Sequence, residues 1–194
     1  MTDETQSPAA ALRSLVARAV DADLASLDGR TELIERANET ASGDADAAVD
    51  ANPAKRLADI FGDAEAVVAV VPRFDARLAR RLSASLTADG DGSDEGTDPP
   101  RDVRVVFTDA AAGRLSGPAG PVVRRLLADR GIDAYRHDGE SPVAVVLADD
   151  RAVVGLVDGD GIAALLWSDA PAVREWAAAT CGRYLDAAEP VDDD

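Results

Sequence analysis

Residues 141–191 constrain the fold of this chain more than any other stretch. Three short apolar runs, at 143–148, 151–157 and 162–167, are separated by tight acidic turns. Only two residues separate the first two runs, which suits a hairpin, so the runs predict an antiparallel meander. A long amphipathic helix is predicted after the meander, because apolar residues recur there at helical spacing. Its apolar face comprises Val173, Trp176, Ala177, Cys181, Tyr184, Leu185 and Ala188.

The stretch before this meander alternates between strand and helix patterns. Apolar runs at 66–71, 103–108 and 132–135 have the length and composition of buried strands. Helical patterns at 74–86 and 121–130 separate them. The alternation predicts parallel strands joined by right-handed crossovers. The second of these helices is expected to bury Val122, Val123, Leu126 and Leu127.

Three shorter helical patterns stand closer to the N-terminus. They cover residues 9–20, residues 31–38 and residues 53–62. The first two could form an arm that binds a partner, or they could pack on their own domain. The expected fold is therefore α/β, with short N-terminal helices and a mixed sheet. In that sheet a βαβαβ unit is followed by a β-meander and a long C-terminal helix.

Small and acidic segments suggest how the chain is divided. Residues 40–52 lack any apolar period and are predicted to be a linker, and the Gly-, Asp- and Pro-rich insert at 88–100 is predicted to be a surface loop. Residues 1–52 are accordingly assigned to an N-terminal helical arm and acidic linker. Residues 53–191 form an α/β domain, and residues 192–194 form an acidic tail.

The charge balance of the chain is strongly acidic. Asp and Glu total 37 against 20 basic residues, which gives a formal net charge of -17, and Lys55 is the only lysine. Self-repulsion at this charge would weaken a compact state in dilute buffer, whereas molar salt screens charges to within about 3 Å. We therefore predict a halophilic source. The acidity is then an adaptation to salt and does not argue against nucleic acid as a partner.

Cysteine content and hydropathy indicate the compartment. Cys181 is the only cysteine, so neither an internal disulfide nor a site with several thiolates can form. The N-terminus lacks a basic segment followed by an apolar core, and no run approaches the ~20 apolar residues needed to cross a bilayer. A cytoplasmic protein without a membrane partner is expected.

The residues that usually carry catalysis are scarce. His137 is the only histidine and is expected to be an exposed loop residue. One histidine and one lysine cannot supply the His-x-Lys signature of phospholipase D enzymes. No glycine-rich phosphate loop follows the first two strands. Turn carboxylates cluster at Asp149, Asp150, Asp158 and Asp160, and we interpret them as solvated turns. The sequence thus predicts no catalytic residue, cofactor or metal.

One basic feature stands out against this acidic background. Arginines at i, i+4, i+7 and i+8 of one predicted helix would form a stripe beside the end of the first parallel strand, where open α/β sheets bind ligands. The guanidinium fork suits phosphate or carboxylate groups. An anionic effector or a DNA backbone is the functional interpretation, and pairing with surface carboxylates is the alternative. The stripe comprises Arg73, Arg77, Arg80 and Arg81.

The order of these elements resembles a known family over residues 53–191. The similarity lies in the strand–turn–strand LADDRAVVGL, the strand end LLWSDAP and the final helix with VREW and RYLDAAEP. These features are similar to the effector domain of haloarchaeal transcriptional regulators of the TrmB and TbsP type, which has a degenerate phospholipase-D-like fold.

The resemblance implies a non-enzymatic regulatory or sensor domain. Such domains bind a small effector or dimerise beside a winged-helix module, so a homodimer and a small anionic effector are the expected partners. No winged helix is evident in this sequence, and no DNA-contacting residue carries over. Two other functions stay open, namely a small enzyme on the same sheet and a partner that sequesters a related regulator through the N-terminal helices.

Overall fold

The computed structural model describes residues 7–22, 30–36, 52–73, 102–159 and 161–191. Within these ranges the chain forms five helices and eight strands. The helices α1 to α5 span Pro8–Ala19, Pro53–Gly62, Asp109–Ser116, Gly120–Ala128 and Pro171–Asp186. The strands β1 to β8 span Thr31–Glu35, Ala66–Val71, Asp102–Phe107, Ile132–Arg136, Ala144–Ala148, Arg151–Asp158, Gly161–Ser168 and Glu189–Pro190.

All eight strands join one mixed sheet in the order β1-β7-β6-β5-β2-β3-β4-β8. Strand β3 pairs in parallel with both β2 and β4, while every other pairing is antiparallel. The predicted parallel unit, the meander and the C-terminal helix are therefore confirmed. The two-residue strand β8, which no pattern in the sequence indicates, closes the far edge against β4.

The sheet is covered on both faces by helices. Helices α2, α3 and α4 lie over one face, where Phe61 and Leu115 pack in the same cluster as Val67. Helices α1 and α5 lie over the other face, where Leu12 and Val173 join a second cluster. Because a central strand has both faces buried, its sequence is continuously apolar, as in the valine run of β2.

The second predicted N-terminal helix, at 31–38, is wrong. Residues 31–35 form the edge strand β1, whose five residues pair antiparallel with β7. Burial does not alternate cleanly along the segment, since Glu32 is exposed and Ile34 is buried, so its pairing with β7 is what identifies the strand. Backbone pairing with a distant strand outweighs the weak helix propensity of so short a segment.

Side chains fasten this edge strand to its neighbour. The buried Ser168 hydroxyl accepts a hydrogen bond from Thr31 Oγ1 (3.0 Å) and from the Ala170 N–H (3.1 Å), and it donates to the Arg30 carbonyl (2.8 Å). Farther along, Trp167 Nε1 donates to the Glu32 carboxylate. The segment at 30–36 is thus built into the sheet.

Helix α1 packs against β7, β6 and β1 of the same sheet. Leu12 and Val16 on its inner face have no exposed surface. Of the two alternatives for this helix, packing on its own domain is the one observed. The division of the chain at residue 52 stays a prediction.

The region after β3 differs from expectation. The sequence predicts one helix between β3 and β4, at 121–130, yet a second helix, α3, precedes it and runs through Gly113. Only the short link at 117–119 separates α3 from α4. Helix α4 also buries fewer of its apolar side chains than the sequence predicts. Val123 and Leu127 are half-buried, whereas Val122 is 73% exposed and Leu126 is 44% exposed. The expected burial of these last two residues is wrong.

Several predicted segments lie outside the described residues. They are the helix at 74–86, the insert at 88–100, the acidic tail at 192–194 and the linker at 40–52, of which only residue 52 is described. In the described part of the chain, no helix is long and apolar enough to cross a membrane.

Candidate ligand site at the carboxyl edge of the parallel strands

Three parallel strands end at one edge of the sheet. Strand β2 is followed by Pro72 and Arg73, β3 by Thr108 and Asp109, and β4 by His137. Backbone bonds hold these endings together, because Thr108 N–H donates to the Val71 carbonyl (3.0 Å) and His137 N–H donates to the Phe107 carbonyl (2.9 Å). We call this polar rim the carboxyl edge. In open α/β folds such an edge is where ligands bind.

Only one member of the predicted arginine stripe can be placed. Arg73 is exposed directly after β2, at the carboxyl edge. Arg77, Arg80 and Arg81 lie outside the described residues, so the stripe stays a prediction.

Asp109 begins α3 with an unusual backbone conformation. Its φ is +52°, in the left-handed region that non-glycine residues rarely adopt. Asp21, after α1, and Asp149, in a hairpin turn, also have positive φ, but such places commonly demand it. Asp109 instead enters a helix, where strain of about 1–3 kcal/mol must be held by surrounding contacts. One such contact is the Ser141 N–H, which donates to Asp109 Oδ2 at 3.2 Å.

Thr108 is a second unusual group at this edge. The residue has no exposed surface, and its hydroxyl has no hydrogen-bond partner among the residues that the structure describes. It occupies the N-cap position of α3 without making a capping bond. An unpaired buried hydroxyl costs about 1–3 kcal/mol, so this edge is locally less well satisfied than the rest of the sheet.

His137 is held in a defined orientation and is half-buried, in contrast to the exposed loop residue expected from the sequence. Its Nδ1 accepts a hydrogen bond from the Gly139 N–H at 2.8 Å, which assigns the proton of the neutral ring to Nε2. The ring stacks obliquely on Tyr184 with centroids 4.9 Å apart. A Cβ at Gly139 would lie 2.6 Å from the imidazole Cε1, so glycine leaves room for this orientation.

A cleft of about 220 Å³ opens beside these groups. Gly113 lies in its wall, and a Cβ built there would meet open space. A glycine inside a helix costs about 1 kcal/mol relative to alanine, and here it leaves the cleft wider. The lining consists of Asp109, Ala112, Gly113, Ser116, Arg136, His137 and Asp138.

Charges around the cleft are partly paired. Arg136 forms ion pairs with Glu189 (3.0 Å) and with Asp138 (3.8 Å). The Tyr184 hydroxyl donates to the Glu140 carbonyl at 2.8 Å, and the Ser141 hydroxyl donates to the Val143 carbonyl at 2.6 Å. The loop between β4 and β5 is therefore fixed to the C-terminal helix and to itself.

The acidic turns outside this edge make specific contacts. Asp149 accepts hydrogen bonds from the backbone N–H groups of Glu65 (3.0 Å) and Ala66 (2.9 Å), at the start of β2. Asp150 pairs with Arg174 at 2.8 Å, and Asp158 pairs with Arg36 at 2.6 Å. Asp160 lies outside the described residues. Among the described residues, no His, Cys, Asp and Glu side chains group closely enough to hold a metal ion.

Cys181 is remote from the carboxyl edge and buried under α5. Desolvation raises the pKa of its thiol to about 12, and the Sγ lies 3.7 Å from the Val68 carbonyl. The neutral thiol packs as a small apolar group. This agrees with its position on the predicted apolar face of the helix.

Sequence reasoning missed Asp109, Thr108 and Gly139 as notable residues. Their peculiarity lies in backbone geometry and burial, which leave little trace in residue type. The available signal was positional, because Thr108 and Asp109 directly follow a predicted parallel strand.

One comparison relates this chain to a regulatory protein. Residues 94–187, slightly less than half of the chain, match the family model described as "Methanogenesis regulatory protein FilR1, middle domain". The matched range includes β3 and β4 of the carboxyl edge and extends to the end of α5. No curated protein matches the chain.

Two solved structures are similar to this chain. The first is TrmBL2, described as an archaeal chromatin protein with a novel mode of DNA binding, with a TM-score of 0.51 and 11% identity. The match covers 86% of this chain, which spans only 57% of the TrmBL2 chain. The second is Nuc from Salmonella typhimurium, a phospholipase D family member, with a TM-score of 0.51 and 13% identity, covering 82% of this chain and 96% of that one. At such low identity these likenesses show the fold alone. The chain therefore has a phospholipase-D-like fold, and its residues 94–187 are similar to the middle domain of a regulator.

Proposed function

We propose that this chain is a non-enzymatic regulatory domain, related to transcription regulators, that responds to a small anionic effector or acts by self-association. The observation that carries the proposal is the match of residues 94–187 to the middle domain of a regulatory protein. That range supplies two of the three strands whose ends form the carboxyl edge. The proposed effector site is this edge.

Arginine content supports an anionic effector. Arg73 is exposed where β2 ends, and Arg77, Arg80 and Arg81 follow at helical spacing in the sequence. The chain has a net charge of -17, so four arginines within nine residues form an unusual concentration of positive charge. Guanidinium groups bind phosphate and carboxylate through paired hydrogen bonds that persist better in salt than a single exposed charge.

No observation favours an enzyme over this proposal. The likeness to Nuc is one of fold, and fold does not imply activity. With one histidine and one lysine, Lys55, in the sequence, the paired His-x-Lys motifs of phospholipase D enzymes cannot be assembled. The site residues therefore serve binding in this proposal.

Ligand-induced stabilisation tests the effector site. Thermal unfolding is followed in molar KCl with added pyrophosphate, with citrate, or with KCl of matched ionic strength. A ligand present at 100 times its Kd stabilises the native state by about 2.7 kcal/mol. We expect one of the anions to raise Tm and the double variant Arg77→Ala/Arg80→Ala to abolish the rise. Arg183→Ala, an exposed arginine on α5, is the matched control and should respond as the unaltered chain does.

A rise in Tm that persists in the double variant would contradict the arginine site. No anion-specific rise at any concentration would contradict the effector mode altogether. A gel shift with the DNA upstream of its own gene, at several KCl concentrations, tests direct DNA binding, because phosphate contacts weaken steeply with salt.

A further inference from the structure

Helix α4 leaves an apolar surface uncovered. Val122 is 73% exposed and Leu126 is 44% exposed, and they are the exposed large hydrophobic side chains among the described residues. They stand four residues apart, so they are neighbours on one helical face. The adjacent face of α4, about 100° around the helix, carries Val123 and Leu127, which pack against the cluster formed with β2 and β3. The exposed pair is thus surplus to the packing of the helix on its own sheet.

Two charged residues share this face. Arg125 and Asp129 are exposed and stand at i+3 and i+7 from Val122. Both residues lie beside Val122 and Leu126, and neither makes an ion pair with any residue that the structure describes. We call Val122, Arg125, Leu126 and Asp129 the α4 stripe.

The stripe is also a place where two copies of an acidic chain can approach each other. Residues 120–130 contain three arginines and one aspartate, whereas the whole chain has a net charge of -17. The helix therefore adds no net negative charge to a contact between two copies, and the two exposed charges of the stripe, Arg125 and Asp129, balance each other. Apolar contact here is further strengthened in concentrated salt, where the remaining repulsion is screened.

We infer that the α4 stripe is the docking surface for a second copy of this chain. In a two-fold pair the same patch faces itself, and two antiparallel α4 helices bring the basic position of each copy towards the acidic position of the other. Val122 and Leu126 of both copies then bury one another between two Arg125–Asp129 pairs. The inference rests on the proposed function, of which it specifies the self-association mode.

The size of the stripe bounds the strength of the contact. One face of a nine-residue helix is small beside the roughly 1,600 Å² that a standard interface buries. The dimer is therefore weak, and its population rises with protein concentration. Mass must be measured across a concentration series for this reason.

Light scattering after size exclusion in molar KCl tests the interface. We expect the mass of the unaltered chain to rise from monomer towards dimer as concentration increases. Leu126→Asp should hold the chain at the monomer mass, since it places a carboxylate against its own symmetry mate. Arg125→Asp should raise the dissociation constant about tenfold, because each copy then presents only acidic groups.

The charge-swapped double variant Arg125→Asp/Asp129→Arg provides the decisive comparison. It restores opposite charges across the two-fold axis and should recover the association that Arg125→Asp loses. Arg183→Asp, on α5, changes the net charge equally and should leave the mass curve unchanged. Far-ultraviolet circular dichroism confirms that each variant is folded.

A monomer at every concentration for the unaltered chain overturns the inference. So does a dimer that Leu126→Asp leaves intact, because the interface would then lie elsewhere. Anion-induced stabilisation of the Leu126→Asp monomer separates the two proposals. If an anion still stabilises the Leu126→Asp monomer, the effector proposal stands even when the dimer proposal is wrong. If no anion stabilises a chain that does dimerise, the dimer proposal stands and the effector proposal is wrong.

Discussion

The antiparallel half of the sheet and the carboxyl edge of its parallel half treat buried polar groups in opposite ways. In the antiparallel half, the buried Ser168 hydroxyl has three hydrogen-bond partners, and the turn residue Asp149 ties the hairpin to β2. At the carboxyl edge, the equally buried Thr108 hydroxyl has no partner in the described part of the chain, and Asp109 enters a helix with positive φ. The antiparallel half therefore stabilises the fold. The unpaired hydroxyl and the positive φ at the carboxyl edge destabilise it, and the antiparallel half offsets this loss. Departures from local optimum concentrate where a protein binds something.

The largest effect should come from the core of the antiparallel half. Leu166 in β7 has no exposed surface, so Leu166→Ala leaves a cavity and should lower the free energy of unfolding by about 2–5 kcal/mol. Leu126→Ala, the same change on the exposed face of α4, should cost less than about 0.5 kcal/mol. Denaturant unfolding in molar KCl measures both. Equal losses would mean that burial does not distinguish the two sites.

Alkaline pH should weaken the layer under α5 through Cys181. Its pKa is raised from 9.0 to about 12 by burial, so the native thiol keeps its proton at a pH where the unfolded chain loses it. The unfolded state then binds fewer protons, and stability falls as pH rises from about 9 to about 12, by up to about 1.4 kcal/mol per pH unit. Below pH 9 the contribution is fully present.

Cys181→Ala removes this titration and is the control. The stability of the unaltered chain should fall more steeply than that of the variant between pH 9 and pH 11. Parallel curves would show that the thiol is solvated, contrary to its 2% exposure.

A matched pair of hydroxyl deletions compares the two regions directly. Ser168→Ala leaves buried partners unsatisfied and should cost about 1–3 kcal/mol. Thr108→Val removes a hydroxyl that has no partner among the described residues, at nearly constant shape, and should be neutral or stabilising by about 1 kcal/mol. Thermal unfolding of both variants decides the matter. A Thr108→Val loss as large as that of Ser168→Ala would show that Thr108 is satisfied in solution.

The smallest expected difference lies between two aspartates with positive φ. Asp149→Gly relieves strain but loses two backbone hydrogen bonds, so a net loss of about 1 kcal/mol is expected. Asp109→Gly relieves similar strain and loses one bond of 3.2 Å, so its stability should stay within about 0.5 kcal/mol. Chemical unfolding at neutral pH provides the measurement. A reversed order would place the costly strain in the hairpin instead of at the carboxyl edge.

The sequence predicts the parallel unit and the meander because strands that are buried on both faces have continuous apolar sequences, such as the valine-rich run at 66–71. It could not predict β1, since the residues of TELIE favour no structure strongly and their partner strand lies far along the chain. It predicted burial for Leu126 because periodicity identifies an apolar face without saying which neighbour covers it. The location of the carboxyl edge followed from strand order. The orientation of His137 did not, because it depends on one backbone N–H two residues away.

The pairing of β1 with β7 also sets an order of events during synthesis. Thr31 meets Ser168 across 137 residues of chain, so β1 has no strand to join until nearly the whole domain has left the ribosome. Helix α1, whose inner face packs on β6 and β7, must wait equally long with Leu12 and Val16 uncovered. Contacts so distant in sequence form late and slow the folding of a chain. A segment made early in this domain is therefore among the last to pack, and a nascent chain halted before β7 exposes the apolar face of α1 to chaperones and proteases.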